Sequence, residues 1–143
     1  MFPKAKICTN KPSEVGTFEE YTSYYSSRIG LSETKLAICS RMSQSKLNKI
    51  TTRRTKNVSV ETIVCLCLAL KLSPEEAIDY LARKERAFSP AKPEHKHYME
   101  LIKIYSADQS AYASGVELSS VLDRADEYLL EKGFLPLPNF NLN

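Results

Sequence analysis

Four glycines in 143 residues are few, and the apolar residues recur mostly at helical spacing, which together favour an all-α protein. No run of ~18 apolar residues occurs, so no membrane-spanning helix is expected. The opening Met1-Phe2-Pro3-Lys4-Ala5-Lys6 is basic with no apolar run behind it, so no secretory leader is expected and the expected location is the cytoplasm. Gly-rich phosphate loops, nucleophile elbows and paired metal-ligand motifs are missing too, which argues against an enzyme and against a bound cofactor.

Cysteine is present, but not in a metal-binding pattern. Cys8, Cys39, Cys65 and Cys67 form no CxxC pair. Cys65 and Cys67 are two apart, so on a helix they point about 200° apart and cannot join His95 and His97 around one ion. Cys39, Cys65 and Cys67 lie among apolar neighbours, where a reduced thiol acts as a small hydrophobe. Cys39 is therefore read as structural rather than as a redox sensor. His95-Lys96-His97, at the start of a predicted helix, is read as a solvated pair rather than an acid–base site.

Acidic residues are absent from Thr34 to Val60, while Lys35, Arg41, Lys46, Lys49, Arg53, Arg54 and Lys56 supply seven positive charges there. The remainder carries 13 basic residues (20 less 7) against all 17 acidic ones. A solvated face ordinarily mixes both signs, so this one-signed segment with acidic flanks points to a polyanionic partner.

The length suits one compact domain or a domain with an appendage. Residues 1–16, with Pro3, Pro12 and Gly16, read as a flexible N-terminal arm. A domain over 17–88 should hold five helices. Their starts are marked by Thr17 (with Glu20 completing a capping box), Ser32, Ser43, Ser59 and Ser73 (with Pro74 and Glu76). The basic Arg83, Lys84 and Arg86 suit the negative pole of the fifth helix. Ser89-Pro90-Ala91-Lys92-Pro93 breaks the pattern. Residues 89–143 then read as a C-terminal appendage of two helices. The first carries Tyr98, Leu101, Ile102 and Tyr105, and the second Val116 or Leu118, Val121, Leu122, Ala125, Tyr128 and Leu129, with Gly133 as its cap.

The second and third helices are separated by about three residues. Leu36 and Ala37 fill the first of them, Met42 plugs the turn, and Leu47 and Ile50 anchor the second, as a helix-turn-helix requires. With Leu47 and Ile50 inward, Gln44, Ser45, Lys46, Asn48 and Lys49 face outward. Gln and Asn can bind adenine bidentately, and Lys can reach guanine O6/N7. Arg53, Arg54 and Lys56 follow in a loop and suit the phosphate backbone.

The run Leu36-Ala37, then Met42-Ser43-Gln44-Ser45-Lys46-Leu47-Asn48-Lys49-Ile50, resembles the lambda repressor/Cro superfamily, often called the XRE family. Ser59-Val60-Glu61-Thr62-Ile63, Leu66, Ala69-Leu70 and Leu72-Ser73-Pro74-Glu75-Glu76-Ala77 continue the likeness in order, so that it covers roughly residues 17–86. The resemblance implies a five-helix domain whose recognition helix, Ser43 to Ile50, enters the DNA major groove. It places the DNA contacts on Ser43, Gln44, Ser45 and Asn48, with Lys46 and Lys49 the next candidates. Three departures stand out. Arg41 occupies a turn position where the family commonly has Gly, so a left-handed backbone there would be strained. Thr51 replaces a common Glu. The loop from Thr52 to Val58 lacks the usual Gly and Pro and is one residue longer.

The expected function is sequence-specific binding of double-stranded DNA by a dimeric transcriptional regulator, because one helix-turn-helix reads too few base pairs alone. The C-terminal helices are candidates for dimerisation or for binding a protein partner. Two alternatives share the same DNA-binding half: an antitoxin that represses its own operon and blocks a toxin, and a protein-interaction adaptor that keeps the fold without binding DNA.

Overall fold

The computed structural model describes residues 10–52, 57–108, 112 and 115–140, and the regular structure among them is entirely helical. Five helices, α1 (Phe18–Ile29), α2 (Glu33–Cys39), α3 (Gln44–Thr51), α4 (Val60–Ala69) and α5 (Pro74–Ala82), are followed by α6 (Pro93–Ser106) and α7 (Gly115–Glu131). The all-α reading, five helices and then two, is what the structure has.

The first five helices start alike. Thr17, Ser32, Ser43, Ser59 and Ser73 each sit in extended backbone and accept, through the side-chain hydroxyl, the N–H of the third helical residue. Each bond satisfies one of the donors that a helix start leaves without a partner. Five helices also end alike, with a left-handed residue followed by an N–H that reaches back to the carbonyl five residues earlier. The bonds are Leu31 to Ser26, Met42 to Ala37, Leu72 to Cys67, Arg86 to Leu81 and Phe134 to Leu129. The left-handed residues are Gly30, Arg41, Lys71, Glu85 and Gly133. Leu31, Met42 and Leu72 then turn into the core, the apolar contact that accompanies this C-terminal motif.

Helix α4 is the centre. Every residue from Thr62 to Leu70 is buried, and α2, α5, α6 and α7 all pack on it. One apolar cluster runs from Phe18 to Leu137 and includes Leu101, Ile102, Leu122, Ala125 and Leu129 of the last two helices. Phe18 stacks on Tyr80 at 4.2 Å, and the Tyr80 hydroxyl meets Thr22 Oγ1 at 2.7 Å, joining α1 to α5. Helix α7 also packs directly on α2, which brings the C-terminal half of the chain against the helix-turn-helix.

The basic residues after α5 act as ties. Arg83 donates to the carbonyls of Glu14 (2.7 Å) and Gly16 (2.8 Å), and the Tyr21 hydroxyl lies 3.0 Å from those of Pro12 and Ser13, so residues 12–16 are bound to the helices. Lys84 donates to Thr52 O (3.1 Å) and Arg86 to Val58 O (2.8 Å), bracketing the segment between α3 and α4.

Cys8 lies outside the described residues, among which the cysteines and histidines form no cluster that could hold a metal ion. Burial pushes the Cys39 thiol up to about 11 and that of Cys65 up to about 12, which keeps both protonated and weakly nucleophilic. Cys65 Sγ faces the Pro138 carbonyl, and His97 Nδ1 lies 3.3 Å from the Tyr128 hydroxyl. The expectation of a solvated His95 needs correction. His95 is buried between Phe88 and Tyr98, and its Nδ1 accepts the Ser89 N–H at 2.8 Å, closing the turn into α6. Among the described residues no helix is long and apolar enough to cross a membrane.

Candidate nucleic-acid interface

Leu36, Ala37, Met42, Leu47 and Ile50 are all buried, so the five positions expected to fix the crossing of α2 and α3 do so. Their burial orients the rest of α3. Ser43, Gln44, Ser45 and Lys49 are exposed, while Lys46 and Asn48 are half-buried. The first turn of α3 holds no acidic residue, and its free amides form the positive end of the helix dipole beside Gln44 and Ser45.

Individual side chains differ in their freedom. The Ser43 hydroxyl accepts the Lys46 N–H at 3.0 Å and so serves as the cap. Gln44 Nε2 donates to Thr34 Oγ1, a bond that crosses from α3 to the first turn of α2. That bond restricts the Gln44 side chain at the mouth of the helix pair. The Lys46 ammonium sits 4.4 Å from the centre of the Phe140 ring, on the flank of α3 rather than its outward face. Thr51, which stands where the resemblance has Glu, is buried and donates to Leu47 O at 3.0 Å. Arg53, Arg54 and Lys56 lie outside the described residues.

Arg41 adopts φ 59°, the left-handed conformation expected at this turn position. Its guanidinium does not join the basic surface. It is held by Asp126 (2.6 Å) and Asp123 (2.5 Å) of α7. Among the described residues from Thr34 to Val60, the positive charge left to the surface is therefore carried by Lys35 and Lys49, both exposed, and by Lys46 beside Phe140.

Residues 27–82 match the family model of the Cro/C1-type HTH DNA-binding domain. This segment is a lambda repressor/Cro-like helix-turn-helix domain. It spans the end of α1 through α5 and contains the whole of the α2–α3 pair. No curated protein and no solved structure matches the chain. The match supports a DNA-binding regulator in the general sense.

Four residues that shape this site were not anticipated. Thr34 could have been found, since it lies in the first turn of α2, whose neighbour in the pair is the first turn of α3. Asp123, Asp126 and Phe140 could not. They are 82 and more residues from the positions they touch, and no local pattern links them.

Proposed function

We propose that the chain is a sequence-specific, non-catalytic transcriptional regulator that binds double-stranded DNA as a homodimer in the cytoplasm and reads the major groove with α3. The observation that carries this reading is Gln44. It is exposed at the positive end of α3, with its amide braced by Thr34, and a braced amide loses less rotamer freedom when it pairs with a base. Gln44, Ser45, Asn48 and Lys49 face the base edges, where the glutamine and asparagine amides suit adenine N6/N7. Ser43 and the α3 amides sit at a phosphate, Lys46 lies at the groove's edge, and Arg53, Arg54 and Lys56 grip the backbone.

The test begins with selection of bound duplexes from a random DNA pool, in which a dyad-symmetric motif is expected from a two-fold dimer. On the selected site, Gln44→Ala should cost about 1–3 kcal/mol while random duplex is bound as before. Equal losses on selected and random DNA would refute base reading by α3.

A further inference from the structure

We infer that Asp126 is a positioning residue for the recognition helix, and that α7 with residues 134–140 is the clamp through which it acts. This rests on the reading of α3 as the DNA-facing helix. The two carboxylate oxygens of Asp126 are both committed. Oδ2 accepts from Arg41 Nη1 at 2.6 Å, and Oδ1 accepts the backbone N–H of Leu137 at 2.8 Å. One side chain thus joins three parts of the fold: the turn between α2 and α3, helix α7, and the segment that follows it.

That segment then returns to the same turn. The Phe140 N–H donates to the carbonyl of Arg41 at 3.0 Å, and the Phe140 ring receives the Lys46 ammonium. Arg41 is therefore held at both ends, its guanidinium by α7 and its carbonyl by Phe140. Pro138 and Phe140 also border the cleft of about 350 Å³ that runs along Lys46 and Ile50 of α3.

Burial ranks the two aspartates. Asp126 is 16% exposed and Arg41 11%, whereas Asp123 is 66% exposed. A pair shielded from water interacts more strongly than one in high dielectric, so Asp126 contributes most of the hold. The residue it holds is in a strained conformation immediately before Met42 and Ser43, which set the start of α3. Loosening Arg41 lets the N-terminus of α3 move relative to α2, and displacement there disturbs the contacts that depend on exact placement. Phosphate contacts, being longer-ranged and less directional, are disturbed less.

The experiment uses the full chain with Asp126→Asn, and Glu127→Gln as the control that removes the same charge from an exposed position of the same helix. On the selected site, Asp126→Asn should lose 5- to 50-fold in affinity, which is about 1–2.3 kcal/mol, with random duplex unchanged within about twofold and Glu127→Gln unaffected on both. Amide hydrogen exchange gives a readout independent of DNA. The Met42 and Phe140 amides should exchange faster in Asp126→Asn, while those of Leu66 and Leu68 in the centre of α4 keep their protection. Should Asp126→Asn fail to fold, Arg41→Gln takes the guanidinium from both carboxylates, keeps a side chain in the strained left-handed turn, and should give the same split. Equal losses on selected and random DNA, an unchanged selected-site affinity, or faster exchange throughout α4 would overturn the inference. Wild-type protein that shows no preference for any duplex would instead overturn the reading of α3, and the exchange data would still decide the clamp.

Discussion

Arg41 sits in a backbone conformation that costs a side chain bearing Cβ roughly 1–2 kcal/mol relative to the right-handed alternative. The structure offsets this with two carboxylates on the guanidinium and a hydrogen bond to the carbonyl. The two contributions can be separated by substitution. Arg41→Ala keeps the strain, loses the ion pairs and leaves Asp126 Oδ2 without its guanidinium partner, so it should destabilise by about 1–3 kcal/mol. Arg41→Gly loses the same pairs but relieves the strain, and should be the more stable of the two by about 1 kcal/mol. Urea unfolding of the three proteins measures this, and an alanine variant as stable as the glycine variant would rule out strain at this turn. The strain itself was legible, since Arg stands where the related domains commonly have Gly. Its compensation was not, because Asp123 and Asp126 lie on a helix 82 or more residues away whose sequence carries no sign of what it faces.

Helix starts and helix ends differ in how openly the residues announce them. A start needs a short polar side chain and a matching residue three positions on, both local, and all five caps from Thr17 to Ser73 were legible. Five of the ends use a left-handed residue, which glycine marks at Gly30 and Gly133 but which Lys71 and Glu85 supply without any mark. The recognition helix shared in this. Its cap and anchors were readable, whereas the placement of Lys46 beside Phe140 was not. Helix α5 has the most heavily used start. Glu76 accepts the Ser73 N–H at 2.9 Å and both terminal nitrogens of Arg28 at 2.6 and 2.9 Å, which ties α5 to α1. Burial opposes ionisation of this carboxyl, but Arg28 and Ser73 outweigh it and hold the group below its ordinary value of 4.5. A depressed carboxylate contributes stability that is fully present above that ordinary value and is lost as pH falls through the lower, folded one. Glu76→Gln should therefore cost about 1 kcal/mol at neutral pH. The gap to wild type should close as pH drops below 4.5. Unfolding midpoints measured across that range check it, and a gap that stays constant through acid would exclude the ionised form as the cause.

For the molecule as a whole, the charge pattern marked out a basic segment from Thr34 to Val60 and a remainder of the opposite net sign, but not how the helices fit together. The apolar cluster does not divide at the Ser89 to Pro93 break. Helix α4, apolar on nearly every side, is covered by α6 and α7 as well as by the helices of its own domain. The extensive apolar surface of α4 was legible and implied a helix touched on several sides, but the partners on each side follow from tertiary packing and not from periodicity. The cluster's continuity makes a sharp prediction about two adjacent leucines of α7. Leu129 is fully buried, while Leu130 is 58% exposed. Removing the Leu129 side chain leaves a cavity in the shared core, so Leu129→Ala should cost about 2–5 kcal/mol. Leu130→Ala deletes the same atoms from a largely exposed position and should stay within about 0.5 kcal/mol of wild type. Because the core is shared, the loss at Leu129 should lower the whole unfolding transition, with α4 amides losing hydrogen-exchange protection together with those of α7. If α7 amides were released alone, with α4 as well protected as before, the last two helices would be a separately folding unit resting on the domain rather than part of its core.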